Sequence, residues 1–285
     1  MRYFTVDAFA QVPFGGNPAG VVLLEKESCF PDDETMRKIA AEMRYSETAF
    51  IKQNGPAEFT VRYFTPAAEV DLCGHATIAS FSVLREEGIV PEGTTCINHT
   101  KAGDLEITVG KKILMEMATP EIVGKIQDTQ RLKEIMNVPQ LDEQAPENLP
   151  TLIVSTGLPD IIFPVASIEA LDTLKPDMEA LSKLSEEMQV VGVHAFALSS
   201  DGHTAHVRNF APLYDIPEES ATGTANGALT YYLYSQGIIA ANEKCSFMQG
   251  EAMGRPSVVE TEIKEGNKVY VGGNSYILTK GEMNL

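Results

Sequence analysis

Two hydrophobic rhythms alternate along this chain. The segments RYFTVDAF (2–9), GVVLLE (20–25), TAFIKQ (48–53) and EFTVRYF (58–64) are short and rich in β-branched and aromatic residues, as are TLIVST (151–156), IIFPVAS (161–167), AFALSS (195–200) and AHVRNF (205–210). That pattern predicts strands. Met36, Ile39, Ala40 and Met43 recur at helical spacing after Pro31 and Asp32, and so do Met178, Leu181 and Leu184. Each set predicts a surface helix with one apolar face. Two further stretches fit neither description. The residues from Gly74 to about Glu87, and from Thr222 to about Gln236, read as helices that are apolar on every face, and the first lies in a run with no charge between Asp71 and Arg85. A helix apolar all round has to be surrounded by protein. Both end at a glycine, Gly88 or Gly237, suited to the left-handed cap position.

The chain also repeats itself. Gly74, Ala79, Gly88 and Ile89 match Gly223, Ala228, Gly237 and Ile238, all 149 positions on. Val61, Arg62, Phe64 and Pro66 match Val207, Arg208, Phe210 and Pro212 at 146, Ala49-Phe50 match Ala195-Phe196 at the same spacing, and Gly16-x-Pro18 matches Gly157-x-Pro159 at 141. Blocks in one order with slowly drifting spacing indicate duplication with loop insertions. The predicted fold class is α+β: two pseudo-symmetric domains, each a curved mixed β-sheet or barrel around a central apolar α-helix. The expected boundaries are 1–118 for the first domain, joined by a C-terminal strand at 276–285, and 119–275 for the second. The charged, Pro-punctuated segment 119–150 forms the crossover at the start of the second domain.

Composition narrows the partners. With 22 Lys and Arg against 40 Asp and Glu in 285 residues, the net charge is −18. That field repels phosphate backbones and anionic membranes, so neither nucleic acid nor a membrane is an expected partner. The beginning of the chain reads as a strand rather than a leader, and no apolar run reaches the length of a membrane span, which fits a cytoplasmic protein. The four cysteines form no C-x-x-C pair; Cys29, Cys96 and Cys245 read as core filler in a reduced protein.

Candidate chemistry sits at the starts of the two apolar helices. A helix N-terminus carries unpaired N–H groups and about half a positive charge, and small residues let an anion approach them. Gly74-His75-Ala76 and Gly223-Thr224-Ala225 offer two such mouths, expected to face one cleft and hold a small carboxylate. Packing glycines explain the same residues. No nucleotide-binding glycine motif is present. The differences between the halves carry more. Glu47 aligns with Val193, so an acid heads a strand where the sister half is apolar; alternation puts it on the face of Ala49 and Ile51. A carboxylate so placed suits a general base that later returns its proton, although a strand-end glutamate in water fits too. His75 aligns with Thr224, and at a helix N-terminus its ring is expected to be neutral. Asp71 and Glu219, just ahead of the helices, are ordinary dipole partners on this reading.

DAFAQVPFGGNPAGVVLL, YSETAFI, RYFTPAAEVDLCGHATIAS, RNFAPLYDIPEESATGTANGAL and QGEAMGRPS together resemble the signature segments of the phenazine-biosynthesis isomerase (PhzF-like) family, in the right order from about residue 6 to 257. The family is related to diaminopimelate epimerase and proline racemase. The resemblance implies their two-domain fold, a site in the inter-domain cleft, a homodimer, and no metal or organic cofactor. It places Glu47 on the proton-shuttling glutamate and His75 on the active-site histidine. Glu219 falls where aspartate is usual and Thr224 where serine is common. Gly74 and Gly223 fall in the carboxylate-holding loops, and Asn17 lines the cleft. Two departures stand out. Glu218-Glu219-Ser220 replaces Glu-Asp-Pro, which lengthens the acid and removes a stiffening proline. Cys73 matches the first of the racemases' two cysteines, but Thr222 replaces the second. The expected function is a cofactor-independent isomerase moving a proton within a small carboxylic acid, with Glu47, His75 and Glu219 catalytic. A two-base racemase using Cys73, and a small-acid binding protein without catalysis, are the alternatives.

Overall fold

The apolar stretch after Cys73 is a helix with no exposed face: His75 to Leu84 are buried without exception. A flat sheet cannot cover a cylinder on all sides, but a curled one can. The computed structural model describes residues 1–138 and 149–284, so part of the expected crossover, 139–148, lies outside the described residues. The chain divides into two compact units, Met1–Glu116 with Gly272–Leu285, and Met117–Val271.

In the first unit the elements are β1 (Arg2–Ala8), β2 (Asn17–Leu23), α1 (Asp33–Met43), β3 (Thr48–Gly55), β4 (Glu58–Phe64), β5 (Glu69–Val70), α2 (Gly74–Glu86), β6 (Thr94–Thr100), β7 (Gly103–Val109) and β8 (Ile113–Glu116). In the second they are β9 (Glu121–Lys125), α3 (Thr129–Ile135), β10 (Leu152–Ser155), β11 (Pro159–Pro164), α4 (Ile168–Thr173), α5 (Met178–Met188), β12 (Val193–Leu198), β13 (Ala205–Ala211), β14 (Ile216–Glu219), α6 (Gly223–Ser235), β15 (Lys244–Gln249), β16 (Ser257–Lys264) and β17 (Lys268–Gly273). The chain then closes the first unit with β18 (Ser275–Glu282), antiparallel to β1. Among the described residues, no helix is long and apolar enough to cross a membrane.

The two units repeat one pairing scheme. Strand β2 pairs parallel with β3, and β4 parallel with β6. Strand β11 likewise pairs parallel with β12, and β13 with β15. The antiparallel partner of β1 is β18, from the end of the chain, and that of β10 is β9. Helix α2 packs against β18, β1, β2 and β3 and also against β7 and β8, strands from both ends of the pairing order, so the sheet curls round it. Helix α6 packs likewise against β10, β11 and β16. Hydroxyls inside these helices are satisfied by the preceding turn: Thr77 donates to Cys73 O, Ser80 to Ala76 O and Thr230 to Asn226 O. Gly88 and Gly237 end them in the left-handed region, at φ 69° and 71°. Outside the curled sheets, α1 covers Val22, Phe50 and Phe64, and α3, α4 and α5 cover Phe163, Val193, Ala195 and Phe210.

The structure corrects two sequence expectations. Phe50 faces the outer layer under α1, whereas Phe196 faces α6, where its ring packs on Tyr232. The Ala-Phe pairs in β3 and β12 are therefore one residue out of register. Backbone pairing shows the true match. Gly20 N donates to Glu47 O, and Ile161 N donates to Gly192 O in the same position. The counterpart of Glu47 is thus Gly192, not Val193, and that of Ala49 is His194. The second correction is Cys29, which is exposed in the loop before α1 while Cys96 and Cys245 are buried.

Gly192 leaves no room for a side chain, since a Cβ there would lie 1.8 Å from Phe210 O and 2.9 Å from Pro212 Cδ. Substituting Gly192→Ala is expected to destabilise the fold by at least about 2 kcal/mol, measured by denaturant unfolding, because backbone has to move. A neutral result contradicts this packing.

Candidate active site

The start of each central helix is held by a repeated clamp. Arg62 grips Glu69 through Nε and Nη2 at 2.7 and 2.8 Å, and Arg208 grips Glu218 in the same two-pronged way at 2.8 Å each. Each guanidinium also lies over a phenylalanine of its own strand, Phe64 or Phe210. Hydrogen bonds from Arg62, helped by Lys101, hold the Glu69 carboxyl below the usual carboxylate range. Bidentate pairs of this kind fix geometry as well as charge. They tie β5 to β4 and β14 to β13, the short strands that deliver Cys73 and Thr222 as the N-cap residues. Neither residue's side chain caps its helix.

In the first unit four predicted residues converge at the mouth of α2. Gly16, at φ 67° and with Ala8 O 2.3 Å from where a Cβ would stand, turns the chain into β2. Asn17, the first residue of β2, is thereby placed with Nδ2 3.3 Å from His75 Nδ1. An amide N–H only donates, so Nδ1 accepts and the ring proton sits on Nε2. Nε2 points to Glu47 Oε2 at 3.3 Å. Glu47 faces α2, as alternation from Ala49 expects. Its Oε2 is buried and meets no well-aligned donor, so the contact with His75 is an approach of charge and dipole rather than a closed hydrogen bond. Cys73 Sγ lies 3.4 Å from His75 Nδ1 and 3.8 Å from Nε2. Gly74 has an ordinary φ, and a Cβ on it would touch only Met115 Cε, at 3.6 Å. Packing does not require glycine there.

Glu47, Cys73 and His75 each offer a donor atom, all within 4.8 Å of one another. A metal on a ring nitrogen lies along its lone pair at about 2.0–2.1 Å, with sulfur about 2.3 Å from the metal. The near-equal distances from Sγ to the two nitrogens put it beside the ring, off both lone-pair axes. This arrangement is a hydrogen-bonding cluster, not a coordination site.

In the second unit the mouth of α6 is built differently. Thr222 Oγ1 donates to Glu219 Oε2 at 2.6 Å. Gln249, at the end of β15, makes four bonds. Its Oε1 accepts from Thr222 N at 3.1 Å and Asn226 Nδ2 at 2.8 Å, and its Nε2 donates to Glu219 O at 2.7 Å and Thr222 Oγ1 at 3.1 Å. Gly223, Thr224 and Ala225 form the first turn of the helix, and Thr224 O accepts from Thr156 Oγ1.

Comparison with known proteins bears on both mouths. Residues 6–281 match the family described as phenazine biosynthesis-like protein. The chain belongs to this family. It is 35% identical to the uncharacterized isomerase YfhB of Bacillus subtilis over 91% of this chain and 89% of that one. It is 29% identical to the trans-2,3-dihydro-3-hydroxyanthranilate isomerase of Pseudomonas fluorescens, over 100% and 99%. A crystal structure of a PhzF-family phenazine biosynthesis protein from Bacillus anthracis superposes with a TM-score of 0.87 at 26% identity, covering 100% and 99%. This member of the phenazine biosynthesis-like family is an isomerase.

Within this family member the residues expected from sequence fall into two groups by unit. Asn17, Glu47, Cys73, Gly74, His75 and Ala76 gather at α2; Glu219, Gly223, Thr224 and Ala225 gather at α6. Sequence reading missed Gln249. It is a single polar residue at a strand end, and its partners come from β14 and α6, more than twenty positions away in the chain. Its loss strands several buried donors and acceptors. Gln249→Leu is therefore expected to cost about 1–3 kcal/mol in chemical denaturation; an unchanged midpoint contradicts its place as the keystone of the α6 mouth.

Proposed function

We propose that this isomerase moves a proton within a small carboxylic acid, with Glu47 as the single acid/base. The observation that carries the reading is the state of Glu47: a carboxylate oxygen buried beside a helix mouth, close to an imidazole N–H, yet without a well-aligned donor. A carboxylate saturated with hydrogen bonds holds a position, whereas an unsaturated one can take a proton. Glu47 removes a proton from a carbon next to an alkene or carboxylate, and the C–H electron pair delocalises into that group. The protonated Glu47 then returns the same proton to another carbon on the same face. His75 Nε2–H and Asn17 orient the polar groups of the substrate. The N-terminal ends of α2, with Cys73, Gly74 and Ala76, and of α6, with Gly223, Thr224 and Ala225, hold the carboxylate and the charge that develops. Glu219, fixed by Thr222, positions a polar substituent. No step calls on a metal or an organic cofactor.

The Pseudomonas fluorescens relative supplies the first substrate to test. Incubation of the intact protein with trans-2,3-dihydro-3-hydroxyanthranilate in deuterated water is expected to place deuterium on carbon. Glu47→Gln is expected to lower the rate at least about 100-fold. Equal rates in the two proteins contradict the assignment. A two-base racemase needs the Cys73 thiolate, so Cys73→Ala is expected to stay within about threefold of wild type on the present reading and to be inactive on the other. Binding of the acid with no exchange identifies a binding protein.

Gly74→Ala separates ligand approach from packing. A methyl at this uncrowded position is expected to leave Tm within about 2 °C. By keeping the carboxylate from the backbone amides it is expected to raise KM roughly tenfold. An unchanged KM contradicts carboxylate binding at this mouth.

A further inference from the structure

Behind the mouth of α6 runs a line of buried side chains that the proposed chemistry does not use. Asn209 Nδ2 donates to His194 Nδ1 at 3.3 Å, and His194 Nε2 donates to Asn226 Oδ1 at 3.3 Å. Asn226 Nδ2 donates to Gln249 Oε1 at 2.8 Å, Gln249 Nε2 to Thr222 Oγ1 at 3.1 Å, and Thr222 Oγ1 to Glu219 Oε2 at 2.6 Å. Every bond points the same way, toward Glu219. Burial pushes His194 down to about 3, so its ring is neutral, with one donor and one acceptor nitrogen, as the line requires.

The far end of the line is Asp160. It lies on β11 two residues before Ile162, the register partner of His194, and so on the same face. Asp160 is buried and its carboxyl hydrogen-bonds with the Asn209 side chain. Both Asp160 Oδ1 and Asn209 Oδ1 are buried acceptors that meet no donor group. A proton on Asp160 satisfies the two together.

We propose that Asp160 is a neutral carboxylic acid that donates to Asn209 and so sets the direction of the whole line down to Thr222 and Glu219, a positioning residue for the α6 mouth. The inference rests on the part given to Glu219 in the reaction. Amide groups do not relay protons readily, so the line orients rather than conducts. The titratable groups that face Asp160 are Glu219 on β14 and His194 on β12. Strand β10 presents Val154 as its register partner, β13 presents Asn209, and α6 carries no charged side chain. Burial, reinforced by the negative charge of Glu219, pushes the carboxyl up to about 8. Ionised, Asp160 would accept only, and would draw the Asn209 N–H away from His194.

The sign of the linkage follows. Folded Asp160 keeps its proton up to about pH 8 while the unfolded chain releases it near 3.8. Folding therefore takes up a proton in that window, and this group's contribution falls as pH rises from about 4 to about 8, then levels off. Thermal unfolding of wild type and Asp160→Asn from about pH 4 to 9 is expected to show the variant gaining on wild type steadily through that window. A pH-independent difference overturns the proposal. In the deuterium-incorporation assay with trans-2,3-dihydro-3-hydroxyanthranilate, Asp160→Asn keeps a neutral donor; it is expected to match wild type at neutral pH and to lack the decline wild type shows above about pH 8. Asp160→Ala is expected to be slowed roughly tenfold. A wild-type rate in the alanine variant, or the same alkaline decline in the asparagine variant, overturns the proposal. Full activity of Glu219→Gln contradicts the part given to Glu219 instead, and the unfolding comparison still decides whether Asp160 is neutral.

Discussion

A helix with no exposed face is the constraint on which this structure depends. Burying one Leu, Ile, Val or Phe side chain is worth about 1.5–3 kcal/mol, and α2 buries Ile78, Phe81, Val83 and Leu84 together. That gain is available only if the sheet closes round the helix, which explains the parallel crossovers and the partner strand that reaches β1 from the far end of the chain. It also dictates where polar chemistry can be. The sides of the helix are sealed, so its backbone dipole and unpaired amides are accessible only at the ends. The hairpin that delivers each N-terminus is clamped by a bidentate arginine–glutamate pair, made twice at equivalent positions. Core, clamp and helix mouth form one mechanical chain.

The duplicated frame carries two different mouths. At α2 the contacts around His75 and Glu47 lie at 3.3–3.4 Å, and one carboxylate oxygen has no aligned donor. At α6 the bonds among Glu219, Thr222, Gln249 and Asn226 lie between 2.6 and 3.1 Å, and donors and acceptors match. The first mouth is loose enough to exchange a proton; the second is a rigid bed. Sterics reinforce the division, since the position equivalent to Glu47 is Gly192, which accepts no side chain. Duplication therefore supplied the scaffold, and divergence confined the mobile proton to one copy.

Much of this was legible in the hydrophobic pattern. The central helices, their terminal glycines, the amphipathic helices and eight of the strands follow from periodicity, because burial of one face or of all faces leaves a direct trace. The convergence of Asn17, Glu47, Cys73 and His75 was readable only with the resemblance to a family. The register of β3 against β12 was not readable. Both strands are buried on both faces, so apolar spacing does not distinguish a slip of one residue, and the shared Ala-Phe pair pointed to the wrong alignment. Nor was the buried polar line readable. Asp160, His194 and Asn209 sit singly inside apolar strands, and what satisfies them comes from segments far apart in the chain. Cys29 reads as core by residue type alone, and its loop position decides otherwise.

The central claim is that one carboxylate removes and returns the proton. The stereochemical course of the reaction tests it most directly. With substrate stereospecifically deuterated at the carbon that loses its proton, NMR can assign the face of departure and the face of delivery. Glu47 acting alone predicts that both are the same face, with part of the original label carried across to the new carbon. Delivery to the opposite face, with no label retained, would require a second acid and contradict the account.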